Sequence, residues 1–246
     1  MLKVIRYPAV MLHVMFILGY TPSFFGNTNV SKQSFEHIIK DSSSLNTNSD
    51  KYTSWNLQNA GLSKAAFEYA FKGYNYFLQK GLLYKTNLIT IVDFSQPSTQ
   101  KRLYVLDIIN GKILFNTLVA HGKNSGHEYA TQFSNSNRSH QSSIGFYITM
   151  GTYTGGNGYS LKLNGYDKGF NDHAYKREIV LHGADYVSEN FISSNGFLGR
   201  SYGCPAVPFE FHKEIIDCIK DGSCLFLYYP SKKYLAASKI LNNRNG

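Results

Sequence analysis

Arg102-Leu103-Tyr104-Val105-Leu106-Asp107-Ile108-Ile109-Asn110-Gly111-Lys112-Ile113-Leu114-Phe115-Asn116-Thr117-Leu118-Val119-Ala120-His121 is the stretch that decides the fold class. Two runs rich in aliphatic, aromatic and β-branched residues flank Asn110-Gly111. That pair is the strongest short hairpin signal, because both residues accept the positive φ of a tight turn. The same chemistry recurs outward from it, in Asn87–Phe94 before and in Ile144–Thr154, Tyr159–Leu163, Glu178–His182 and Cys224–Tyr229 after. Loops carrying Gly and Asn, notably 151–158 and 164–172, separate the runs. About six or seven strands predict a mainly β domain, sandwich-like or barrel-like. Helices are few. Ser63 is a good N-cap, Phe67, Ala70, Phe71, Tyr74, Phe77 and Leu78 recur at helical spacing, and Gly81 stops the run, so a helix is expected over 63–80. A second is expected over 208–220, with Pro208 near its first turn and Asp221-Gly222 at its end.

The chain has 246 residues, 43% of them hydrophobic and 17% charged, enough apolar material for a core without a disulfide scaffold or cofactor. A formal net charge of +9 favours an anionic partner. The basic residues are scattered, with no basic helix or aromatic-interleaved signature, so nucleic acid is not expected and the charge reads as attraction to a polyanionic envelope. Solubility alone is the plainer reading.

Lys3 and Arg6 precede an apolar run from Pro8 to Tyr20, broken by His13. That pattern reads as a secretory signal rather than a membrane span, which needs about 20 apolar residues; an ordinary N-terminal strand or helix is the alternative. The expected organisation is a signal-like segment (1–26), a polar linker (27–56), a helical preface (57–86), a catalytic domain (87–235) and a tail (236–246). Export to the periplasm or cell envelope follows. Of the cysteines, Cys218 and Cys224 read first as buried core residues, with a bridge between them left open by their spacing.

Cys204 has a different setting. A strand ends on Leu181-His182-Gly183-Ala184, and a loop leads into Gly199-Arg200-Ser201-Tyr202-Gly203-Cys204-Pro205 ahead of a helix. A nucleophilic thiol needs a base, and a neighbouring imidazole can serve. It also needs donors for an oxyanion. Pro205 has no N–H, which leaves the amides of Cys204 and of Gly203 or Tyr202. Taken alone, a buried structural Cys in a Gly-Pro turn fits these residues equally well.

His182-Gly183 followed by Ser201-x-Gly203-Cys204 resembles the signature of YkuD-type L,D-transpeptidase catalytic domains, which remodel peptidoglycan. Ala120-His121-Gly122-Lys123 and Ser143-Ile144-Gly145-Phe146 agree with segments of that family. Leu163-Asn164-Gly165, Gly169-Phe170-Asn171-Asp172 and Gly199–Ala206 look closest to its murein L,D-transpeptidase branch. Two features depart from the wider family: Tyr202 stands where a second His usually precedes Gly-Cys, and Pro205-Ala206 stand where an Arg or Asn is usual.

The resemblance implies an L,D-transpeptidase-type β-sandwich or barrel, with Cys204 as nucleophile, His182 as base and the carbonyl of Gly183 orienting the imidazole. Arg200, Ser201, Tyr202 and Gly203 are the expected oxyanion and substrate contacts, Arg200 through a substrate carboxylate or, equally, as a loop-pinning residue. The implied partners are peptidoglycan stem peptides, joined by 3→3 crosslinks through a thioester, with water as the alternative acceptor (an L,D-carboxypeptidase or amidase). A non-catalytic wall-binding domain is the rival from another class. Carbapenem-type β-lactams are implied as covalent inhibitors. No cofactor and no metal are expected, since no His-x-x-x-His or Cys-x-x-Cys spacing occurs. The chain is expected to be a monomer. Of the remaining histidines, His121, His140 and His173 are candidates to line the cleft.

Overall fold

The computed structural model describes residues 48–242; the signal-like segment, most of the polar linker and the last four residues lie outside them. In chain order the elements are α1 (Asn48–Ser54), α2 (Lys64–Gln79), β1 (Leu88–Asp93), β2 (Leu103–Asp107), β3 (Lys112–Thr117), β4 (Gly145–Gly155), β5 (Gly158–Gly165), β6 (Val180–Ala184), α3 (Glu189–Asn195), β7 (Ala206–Pro208), α4 (His212–Ile219), β8 (Cys224–Tyr228), α5 (Lys232–Ala237) and α6 (Lys239–Asn242). The fold is mainly β.

The strands form one sheet in the order β3-β2-β1-β8-β4-β5-β6-β7. β1 and β8 are parallel and central, and every residue of both is buried. Alternation sorts their side chains. Ile89, Ile91, Phe226 and Tyr228 face a core shared with α2, while Val92, Leu225 and Leu227 face a second core roofed by Ile215, Ile216 and Ile219 of α4. Beyond the two edge strands, the segment after β3 bridges to β7 at Ala120↔Ala206 and to the turn that precedes β7 at Gly122↔Ser201. These bridges nearly close the sheet into a barrel, and the candidate site sits at that seam.

Local signals placed α2 well. Ser63 Oγ accepts the Ala66 N–H at 3.2 Å, and Phe67, Phe71, Tyr74 and Phe77 are buried against the sheet. Gly73 lets the helix approach the sheet, since a Cβ there would stand 2.0 Å from the Phe146 ring. The hairpin after β2 differs from a two-residue turn. Asp107 pairs with Lys112, and Asp107 Oδ1 accepts the Ile109 and Asn110 amides, so an Asx turn opens the loop and Gly111, at φ +62°, closes it.

Three boundaries are corrected. The folded part starts before 57, because Tyr52 of α1 is buried and its hydroxyl donates to Leu62 O at 2.6 Å. The helix expected from 208 starts at His212, because Pro208 ends β7, an edge strand where a missing N–H is tolerated. The tail from 236 is partly core. Tyr234 and Ser238 donate to the buried Asp167 carboxylate at 3.0 and 2.5 Å, which seats Ile240 and Leu241. Cys218 and Cys224 are both free, Cys224 buried and Cys218 half-buried.

Candidate active site

Parallel pairing of β6 with β7 sets His182 opposite Ala206, so the turn that carries Cys204 arrives beside the histidine strand. His182 Nδ1 lies 2.9 Å from Gly183 O, the geometry of an Nδ1–H donor, which leaves Nε2 with a lone pair. Burial holds the imidazole below its ordinary value, with the charge of His212 acting in the same sense, so it is neutral at pH 7. Gly183 is required here: a Cβ would meet the His212 ring at 2.6 Å.

The turn before the cysteine is braced from within. Ser201 Oγ accepts the Gly203 N–H at 3.0 Å and donates to Cys204 O at 2.6 Å. Ser142 Oγ donates to Gly203 O and accepts the Gly122 N–H, both at 3.0 Å. Gly203 sits at φ +129° with Gln141 O 2.9 Å from where a Cβ would be, so only glycine fits. Of the two amides expected beside that of Cys204, Gly203 or Tyr202, the Gly203 N–H is committed to Ser201 Oγ. The amides of Tyr202 and Cys204 donate to no acceptor among the described residues.

Arg200 binds the loop above it, Nη1 donating to Gly126 O at 3.1 Å and Lys123 O at 3.4 Å, with its guanidinium 5.3 Å from the Phe197 ring centroid. It pins that loop. Tyr202 is 68% exposed, its ring 4.8 Å from that of His140 and 4.4 Å from Lys123 Nζ.

The sulfur of Cys204, a partly exposed residue, lies between the Val180 N–H at 3.5 Å and Glu178 O at 3.7 Å. No hydrogen bond joins it to His182 in this rotamer. Glu178 adopts φ +58°, a conformation uncommon outside glycine, and it turns the carbonyl toward the thiol. Burial pushes the thiol up. The Val180 N–H and Arg177 oppose that rise, and Glu178 adds to it.

Three residues within electrostatic reach of the sulfur escaped the sequence reading. Tyr153 of β4 and Tyr186, just after β6, both feel the charge of Cys204; burial is the larger cause in each, and Tyr186 is pushed up to about 12. Arg177 is the third. Its placement in the segment leading into the histidine strand was the available signal, whereas nothing local links Tyr153 to the cysteine.

The other histidines differ in setting. His173 is exposed beside Asp172, at 4.0 Å, and His140 packs on Tyr202. His121 is fully buried: Arg102 Nη2 donates to its Nδ1 at 2.8 Å, and its Nε2–H donates to Gly126 O at 3.3 Å. Burial, then the charge of Arg102, pull it down to about 3. The unfolded chain therefore takes up this proton first, so the contribution to stability is full above the unfolded value and is lost as pH falls. Between about pH 6.5 and 5 the expected loss is about 2 kcal/mol. Urea unfolding at both pH values checks it. His121→Gln flattens the slope, and an unchanged slope assigns it elsewhere; His182, also held down, adds in the same sense.

A family model described as the L,D-transpeptidase catalytic domain matches residues 58–228. No curated protein matches. Among solved structures, an L,D-transpeptidase from Stackebrandtia nassauensis is 16% identical over 61% of this chain and 59% of its own, with a TM-score of 0.36. One from Mycobacterium smegmatis is 12% identical over 58% and 59%, TM-score 0.36. L,D-transpeptidase 3 from Mycobacterium tuberculosis, solved in complex with a faropenem-derived adduct, is 10% identical over 58% and 60%, TM-score 0.37. Each match spans less than two thirds of the solved chain. Since the family model covers more than half of the 246 residues, the chain belongs to the L,D-transpeptidase catalytic domain family.

Proposed function

We propose that this chain is a peptidoglycan L,D-transpeptidase that works through a Cys204 thioester in the cell envelope. The observation that carries the reading is the seam itself. There an imidazole tied to Gly183 O stands beside a braced turn that presents a thiol and two uncommitted amides. The Cys204 side chain rotates out of its Val180–Glu178 cradle and passes its proton to His182 Nε2. The sulfur then attacks the carbonyl of the third stem residue, and the Tyr202 and Cys204 amides receive the oxyanion. The imidazolium returns the proton to the departing D-Ala amine. A neighbouring stem amine attacks the thioester while His182 takes its proton, and the thiol is released as the 3→3 crosslink forms.

Incubation with tetrapeptide muropeptides and mass analysis of the products tests this. A crosslinked dimer with loss of D-Ala is expected; a tripeptide without dimer would assign water as the acceptor, and unchanged muropeptides would overturn the reading. Tyr202→Phe is expected to keep most turnover, because the exposed ring packs on His140 and its hydroxyl has no described partner. A loss as large as that of a nucleophile variant would place the phenol in the chemistry.

A further inference from the structure

Arg177 is a half-buried cation that pairs with no carboxylate among the described residues. Its guanidinium donates to neutral oxygens only: Ser134 O at 2.7 Å and Ser143 Oγ from Nη1, Ser139 Oγ at 3.1 Å and Gln141 O at 2.9 Å from Nη2. Hydrogen bonds of this kind satisfy its donors but leave its charge without a counter-ion, a costly state for a group withdrawn from water. The residues it touches and adjoins surround the nucleophile. Gln141 O lies against Gly203, and Glu178 and Val180, just after Arg177 on either side of Ile179, hold the sulfur.

We propose that Arg177 is a positioning residue whose missing counter-ion is the Cys204 thiolate, and that it supplies the positive charge next to the nucleophile in a turn where Pro205-Ala206 carry none. The same fork ties the 134–143 segment beneath the catalytic turn, so charge and geometry are set by one side chain. Other titratable groups near the sulfur do not replace it. Glu178 acts against ionisation of the thiol, the Tyr153 and Tyr186 phenols are held up by burial, and His182, held down by burial, serves as the base. Burial raises the thiol, and among the described residues Arg177 is the one side-chain cation that pulls it back; in the reverse sense, the guanidinium, lowered by its own burial, is supported first by the Tyr147 phenol and then by Cys204.

The proposal rests on Cys204 being the nucleophile, but its test needs no muropeptide. The pH dependence of iodoacetamide alkylation at Cys204, followed by peptide mass mapping, gives the thiol midpoint in the wild type, Arg177→Gln and Arg177→Lys. Arg177→Gln is expected to raise the midpoint by about one pH unit, or about tenfold less thiolate at neutral pH. Arg177→Lys keeps the charge without the fork, so its midpoint stays near that of the wild type even if its thermal stability falls. Equal midpoints in all three proteins, or equal displacement in both variants, would overturn the proposal. If Arg177→Gln does not fold, His182→Ala decides, because it removes the imidazole and leaves Arg177 as the side-chain cation acting on the thiol. A midpoint at or below the ordinary ~8.5 despite burial supports the pairing, and one well above it overturns it.

Discussion

Cys204→Ala is expected to abolish muropeptide turnover, with a loss of at least ~10⁴-fold, because the seam's Ser201 and Ser142 hydroxyls are committed to bracing the turn and do not replace the thiol. The same variant is expected to lose covalent labelling by a carbapenem, whose strained amide offers a carbonyl to the thiolate. In the wild type one adduct per chain should map to Cys204. Cys224 is fully buried with its thiol pushed far up by desolvation, so it does not compete; Cys218, half-buried like Cys204 and also pushed up by burial, is the internal control. Turnover by Cys204→Ala at the wild-type rate would end the cysteine mechanism. An adduct mapped to Cys218 would show that accessibility alone, rather than the site, governs reactivity.

His182→Ala is expected to slow both acylation and turnover by ~10²–10⁴-fold, the usual contribution of a positioned base. The pH profile separates this from a loss of packing. Burial holds His182 below its ordinary value, so the base is neutral above that value and activity falls as pH drops through it. The acid limb of kcat/KM should therefore lie below ~6.5 in the wild type and disappear in the variant. A variant that loses activity but keeps the limb would assign it to another group.

Much of the fold could be read locally. Ser63 and the aromatic stripe place α2 within a residue of its observed bounds, because a cap and a 3.6-residue period act within a few positions. β8 is a continuous apolar run and β1 is one apart from Thr90 and Asp93, the pattern of strands buried on both faces. Strand β7 was missed: Ala206–Pro208 is too short to show a period, and it exists because its partner β6 and Ala120 are already in place. The fold's early start at Tyr52 and its late end at Leu241 were hidden for a related reason. Each is seated by a distant group, Leu62 O in one case and the Asp167 carboxylate in the other.

The sequence by itself determined the chemistry available at the seam: a thiol in a Gly-Pro turn, an imidazole at a strand end, and no N–H on Pro205. Tertiary structure alone decided how these groups are committed. It set His182 against Ala206, engaged the Gly203 amide with Ser201, turned Arg200 to the loop carbonyls, and put Arg177, Tyr153 and Tyr186 within electrostatic reach of the sulfur. The reason is that a donor or a charge has several acceptors within reach in an open chain. Which one it takes depends on which groups, far apart in sequence, are packed beside it and withdrawn from water.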